Sequence, residues 1–171
     1  LSNKSGNFGP DKSIPADGLD ALGDPGLPML SSGANRGGAL AANATALGIG
    51  SGLSLAYDTS LGAFSPYSGR LYAVYTAPGP NDSADIFLIS SDNDGGDWSD
   101  PVRVNDDSAA DNVTEGDRSQ FMPSVTVDPV TGTVVVMWYD ARDDASNARV
   151  ATYMATSIDG GETFSPQTIE T

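Results

Sequence analysis

Ser157-Ile158-Asp159-Gly160-Gly161-Glu162-Thr163-Phe164 reads Ser-x-Asp-Gly-Gly-x-Thr-aromatic, and Ser91-Asp92-Asn93-Asp94-Gly95-Gly96-Asp97-Trp98 is a close copy of it. Each copy follows an apolar run, Val150-Ala151-Thr152-Tyr153-Met154 in one case and Ile86-Phe87-Leu88-Ile89 in the other. Each is followed by a serine, a nearby proline and a further short strand-like run. A local pattern that recurs in one context is a repeat, and a repeat constrains architecture before any single element does.

Physically the motif is a tight hairpin turn. Gly160 and Gly161 are free to take positive φ, which a short connection between antiparallel strands needs. Ser157 and Asp159 carry short side chains that bond turn amides. Phe164 opens the returning strand and brings a ring to bury. In the upstream copy Asn93 stands where the second has Asp159, and an amide oxygen accepts the same bonds. Ser91, Asn93, Gly95, Trp98, Ser157, Asp159, Gly161 and Phe164 are therefore expected to be turn architecture, with their chemistry used locally.

Around each turn the chain lays out four strand-like runs. Residues 51–104 offer 53–57 (ended by Asp58), 71–75, 85–90 and, after the turn at 91–98, 102–104. Residues 121–171 offer 125–127 (ended by Asp128), 133–139, 150–156 and, after the turn at 157–164, 167–169. These runs are rich in Val, Tyr, Ile and Thr and are bounded by Gly, Pro, Asn and Asp, the signature of strands and turns. Val134-Val135-Val136-Met137-Trp138 is apolar at every position, which predicts a strand covered on both faces. Phe8-Gly9-Pro10 parallels Phe164-Ser165-Pro166, so residues 1–14 are expected to end an earlier unit. Residues 15–50 read as a long Gly/Pro/Ala-rich loop, and 105–120 as an acidic link between the two units.

These turns resemble the Asp box, or BNR repeat, of the sialidase-type β-propellers. Gln120 to Pro129, Thr131 to Asp143 and Gly69 to Tyr75 are likewise similar to segments of large bacterial secreted sialidase-like proteins, and the resemblance covers about residues 50–171. In that family the box joins the third and fourth strands of a blade. The resemblance implies an all-β fold: a partial β-propeller of about two four-stranded antiparallel blades plus the last strand of a preceding blade. It also implies a bacterial protein that is extracellular or at the cell surface. Propellers need about four to eight blades. Two and a fraction cannot close, so the expectation is a piece of a larger protein or a subunit that completes a ring. Rings such as Tyr72, Phe87 and Trp138 would otherwise be an aggregation hazard.

Among 171 residues, 23 acidic against 8 basic side chains give a formal net charge of −15. That argues against nucleic-acid or anionic-membrane partners, which need basic patches. No stretch approaches a membrane span, so no membrane insertion is expected. With Cys and His both absent, there is no disulfide framework, no thiolate, no His general base and no His/Cys zinc site. The chain starts at Leu1 without Met, which reads as a cut or an observed start. Asn43, Asn81 and Asn112 head glycosylation-type triplets that also fit ordinary polar loops.

In an up-and-down four-stranded unit the 1–2 and 3–4 connections share one end. The opposite end collects the remaining loops, and in sialidases that end holds the active site. Here it is acidic: Asp106, Asp107, Asp111, Glu115 and Asp117 in one link, Asp140, Asp143 and Asp144 in the next loop. Clustered loop carboxylates suit calcium, although no EF-hand spacing is present, and the first five are the expected ligands if any cation binds. Arg36, Arg118, Arg142 and Arg149 also fall there, but the family's Phe-Arg-Ile-Pro motif is absent. Tyr139-Asp140-Ala141-Arg142 carries suitable groups without mapping onto a family catalytic position, so no catalytic residue is assigned.

The functional expectation is a secreted structural or binding module. Its partners would be further blades, other protein subunits or glycans. Part of an exo-α-sialidase-like glycoside hydrolase, or a subunit of an extracellular filament or surface layer, are the alternatives.

Overall fold

A computed structural model describes residues 52–61, 65–78, 84–106, 118–144, 149–166 and 168–170. The expected strand at residues 8–14 and the loop at 15–50 lie outside them. The described residues are all-β, with no helix. The elements are β1 (Ser54–Tyr57), β2 (Leu71–Pro78), β3 (Ala84–Ser91), β4 (Val102–Arg103), β5 (Gln120–Val127), β6 (Val134–Asp140), β7 (Ala151–Ser157) and β8 (Thr168–Glu170). They form two open antiparallel sheets in the orders β1-β2-β3-β4 and β5-β6-β7-β8.

Both first hairpins close on an aspartate. Asp58 Oδ1 accepts from the Ser60 amide at 2.8 Å and Oδ2 from Ser65 Oγ at 2.7 Å. Asp128 Oδ1 accepts from the amides of Val130 and Thr131 at 2.7 and 2.9 Å. Each carboxylate replaces backbone partners that a strand end would leave unmet. Gly132 belongs here as well, because a Cβ on it would lie 2.5 Å from Ser65.

Strand register fixes an equivalence between the sheets. Leu71 pairs with Ser91 and Val134 with Ser157, so β2 and β3 match β6 and β7 residue for residue. On that match Tyr72, Val74, Thr76, Ile86 and Leu88 form one face of the first sheet. Their counterparts in the second are Val135, Met137, Tyr139, Thr152 and Met154. The opposite face of the second sheet is Val125, Val127, Val134, Val136, Trp138, Tyr153 and Ala155. One core joins Tyr72, Val74, Ile86 and Leu88 to those seven residues, with Val104. The two sheets therefore stack front to back, the front of the first on the back of the second.

The stacking explains the burial. Tyr72 and Val74 are fully buried and Trp138 is 2% exposed, so two of the three rings expected to need cover have it. The back of the first sheet, with Ala73, Tyr75, Ala77 and Ile89, is buried too. The apolar run Val134–Trp138 behaves differently from its sequence expectation. Val134, Val136 and Trp138 are buried, but Val135 is half-buried and Met137 is 40% exposed. Hydrophobicity on both faces did not translate into cover on both faces, because the described part of the chain supplies no third sheet for the front of the second.

β5 begins earlier than its expected start at Val125 and contains a bulge between Phe121 and Ser124. Met122 sits in the bulge at φ 54°, just before Pro123. Proline has no amide to give a ladder, so an edge strand with a bulge is where it fits.

Gly161 makes a close approach to the core of the first sheet. Its φ is +90°, and a Cβ there would lie 2.8 Å from Leu88 Cδ2 and 3.5 Å from Tyr72 Cε1. Gly69 has φ +91° with nothing within 4 Å. Gly69→Ala should cost about 1–2 kcal/mol from backbone strain alone. Gly161→Ala should cost about 1–3 kcal/mol more, from overpacking against the first sheet. Urea unfolding of both variants checks this, and equal losses would mean that Gly161 is no packing site.

Candidate functional site

The two Gly-Gly turns share one pattern of hydrogen bonds. Ser91 Oγ accepts from the Gly95 amide at 2.8 Å and donates to Asn93 Oδ1 at 3.0 Å, which also accepts from the Asp97 amide at 2.7 Å. Ser157 Oγ accepts from the Gly161 amide at 2.9 Å and donates to Asp159 Oδ1 at 2.7 Å, which also accepts from the Thr163 amide at 3.0 Å. Past the turn, Ser99 and Ser165 each donate an amide to the residue before the turn serine, at 2.9 and 2.7 Å. Trp98 and Phe164 occupy matching positions and pack against the two core clusters. Asn93 keeps every one of these acceptor roles and adds a bond from Nδ2 to Asp97 Oδ2 at 2.7 Å.

A cleft of about 380 Å³ runs between the turns, lined by Arg70, Asp92, Asn93, Asp97, Trp98 and Glu162 among others. Arg70 spans it. Its Nε and Nη2 donate to the two Asp92 oxygens at 2.7 Å each, and Nη1 donates to the Gly160 carbonyl at 3.1 Å. The guanidinium lies 4.5 Å over the Tyr67 ring. Arg70 thus ties the first turn to the second and so one sheet to the other. The Arg70 bond holds the Asp92 carboxyl below its usual range.

The opposite end of the sheets holds a buried polar network. Asp140, 1% exposed, is its hub. Oδ1 accepts from Gln120 Nε2 at 3.2 Å and from the Arg142 amide at 2.8 Å. Oδ2 accepts from Trp138 Nε1 and Arg142 Nε, both at 2.9 Å. Gln120 Oε1 accepts from Asn105 Nδ2 at 3.3 Å, and the same Nδ2 reaches Asp85 Oδ1 at 2.9 Å. Asn105 Oδ1 in turn accepts from the Ile86 amide at 2.7 Å. The chain of bonds crosses from β3 to β6, so it too joins the two sheets.

Arg142 extends the network outward. It reaches Asp106 Oδ1 at 2.7 Å and lies 4.5 Å over the Tyr153 ring. The Tyr153 hydroxyl donates to Asp143 Oδ2. Burial, then the bond to Asp143, pushes the Tyr153 phenol well above its ordinary value. A nucleophilic tyrosine needs the reverse, a phenolate made accessible near neutral pH. Beside it a shallow hollow of about 230 Å³ is lined by Asp140, Asp143, Asp144, Arg149, Val150 and Ala151.

Of the five expected calcium ligands, only Asp106 is a described residue, and it is paired with Arg142. Asp107, Asp111, Glu115 and Asp117 lie outside the described residues, as does Arg36. Among the described residues no three acidic side chains gather as a metal site would require, and no helix is long and apolar enough to cross a membrane. Sequence reading missed the Arg70 tie and the Asn105–Gln120–Asp140 chain. Their only advance signals were polar residues set beside apolar runs. No protein-family model matches this chain, and no curated protein matches it.

Two outcomes follow. Burial alone would raise the Asp159 carboxyl, but the bonds from Thr163 and Ser157 outweigh it and hold its pKa at about 2. The unfolded value is near 4. The stabilisation is therefore complete above about pH 4 and is lost as pH falls towards about 2. Asp159→Asn should flatten the stability curve across that window in acid-unfolding titrations, and an unchanged slope would contradict the assignment. At the other end, Asp140→Ala strands Arg142, Trp138 and Gln120, and should cost about 3–5 kcal/mol. Asp106→Ala removes an exposed partner and should cost under about 1 kcal/mol. Melting of the two variants side by side tests the ranking.

Proposed function

We propose that this chain is a segment of a sialidase-type β-propeller, each four-stranded sheet being one blade. In this reading it is a structural or binding module of a larger secreted bacterial protein or extracellular assembly. The observation that carries the reading is the repetition. The same Ser-x-Asp/Asn-x-Gly bonding recurs between the third and fourth strands of two consecutive sheets, and those sheets stack front to back. Front-to-back stacking leaves a front face and a back face at the ends of any row of sheets, which is the geometry a ring of blades extends. The acidic, Cys-free composition is compatible with an extracellular setting. Partners on this reading are further blades, other subunits or glycans.

A binding or scaffolding role fits the polar groups better than catalysis does. Asp140 and Arg142 are consumed by each other and by neighbours within the fold. Tyr153 is held protonated rather than activated. Fold alone does not confer an activity, and Asp140, Arg142 and Tyr153 are not poised for glycoside chemistry. Incubation of the chain with a fluorogenic sialoside between about pH 4 and 8 should give no turnover above a blank. Turnover that disappears in Arg142→Ala, with the melting transition of that variant still present, would overturn the module reading in favour of a hydrolase.

A further inference from the structure

Side by side, the two Gly-Gly turns divide into residues that agree and residues that differ. Ser91 with Ser157, Asn93 with Asp159 and Gly95 with Gly161 agree, and they make the turn bonds. Asp92, Gly96, Asp97 and Trp98 stand against Ile158, Glu162, Thr163 and Phe164. Four of these differing side chains, Asp92, Asp97, Trp98 and Glu162, line the cleft of about 380 Å³ between the turns. A cleft of that size falls within the range of small-molecule sites.

Their counterparts show that the turn does not need them. Thr163 Oγ1 folds back on Asp159 Oδ2, whereas Asp97 gives only Oδ2 to Asn93 Nδ2, at 2.7 Å, and keeps Oδ1. Phe164 holds the place of Trp98 without a polar atom, whereas Trp98 Nε1 is a buried donor with no acceptor among the described residues. An unmet indole N–H is a cost that a phenyl ring avoids, so packing alone does not select tryptophan here. Glu162 is exposed, and among the described residues its carboxylate has no hydrogen bond or ion pair.

The lining also says what chemistry fits. Arg70 is closed to an anion, because Nε and Nη2 go to Asp92 and Nη1 to the Gly160 carbonyl. The same pair neutralises Asp92. What remains is the carboxylates of Asp97 and Glu162, the Ser90 hydroxyl and a partly exposed indole. Ionised carboxylates take short, strong bonds from hydroxyl groups. An aromatic ring takes a flat apolar body. A sugar ring offers both, hydroxyl donors around its rim and apolar C–H surfaces on its faces. Two uncompensated carboxylates repel a carboxylated sugar. The Asp97 position is set before a ligand arrives, since Asn93 holds it through its amide and through Oδ2.

We infer that the cleft between the two turns binds an uncharged sugar residue of a glycan, packed on Trp98 with hydroxyls donated to Asp97 Oδ1 and Glu162. The inference rests on the module reading and gives it a binding site, at the end of the sheets away from the Asp140 network.

Calorimetric titration of the 171-residue chain tests it, with cellotetraose, maltotetraose, xylotetraose and mannotetraose at up to about 10 mM, and with lactose beside sialyllactose. At least one neutral sugar should bind and should shift the emission of Trp98, since Trp138 is 2% exposed. Glu162→Ala should weaken that binding at least about tenfold and leave the melting temperature unchanged. Trp98→Phe should keep or raise the melting temperature and weaken binding about fivefold. Binding of none of these sugars overturns the site, as does binding that both variants leave intact. Tighter binding of sialyllactose than of lactose overturns it too, because the cleft then takes an anion. A response to tetralysine alone, erased by about 0.5 M salt, overturns it in favour of a basic peptide. Each of these failures leaves the module reading standing. Arg142-dependent sialoside turnover removes the module reading, and Glu162→Ala still decides the cleft.

Discussion

The second Gly-Gly turn sits where a side chain cannot go. Gly160 and Gly161 both take positive φ, and both lie so close to the first sheet that a Cβ would strike Tyr67, Arg70 or Leu88. Most of the architecture depends on that approach. It sets the distance at which β6 and β7 meet Tyr72 and Leu88. It also places the Gly160 carbonyl where Arg70 can reach it while holding Asp92. A turn that serves only its own hairpin needs one such glycine. Here the pair also makes the contact between neighbouring sheets, so a local motif carries tertiary information.

At the far end a different chemistry does the same work. Asp85, Asn105, Gln120 and Asp140 bring the two sheets together through buried hydrogen bonds. Such networks are costly when half-satisfied and hold a unique register when complete. The apolar core between the ends is bulk adhesion. The glycine approach at one end and the amide–carboxylate chain at the other decide which residue faces which. Having Asn in place of Asp in the upstream turn keeps the shared bonds, because Asn93 Oδ1 still takes the Ser91 hydroxyl and the Asp97 amide.

Local features were legible in the sequence. The strands bounded by Asp58 and Asp128, the turns at 91–98 and 157–164, and the matching of Trp98 with Phe164 all follow from patterns within about ten residues. The exposure of Met137 and Tyr139 was not legible. An apolar run reports what a strand can bury, and whether a neighbour exists is decided elsewhere in the chain. The Arg70–Gly160 bond joins residues 90 apart in sequence, and nothing around Arg70 announces it. The Asp140 hub was visible as a polar group close to Trp138, but its partner Gln120, and Asn105 beyond it, come from another strand and a link. Calcium was read from carboxylate density alone. The one described member of that set, Asp106, turns out to answer Arg142.

Native-state hydrogen exchange tests the stacking most directly. If the two sheets are one unit, the amides of Val74 and Leu88 in the first and of Val136 and Ala155 in the second should exchange through a single opening, with the same free energy and the same denaturant dependence. Two distinct opening energies, with one sheet remaining protected while the other exchanges, would contradict the account.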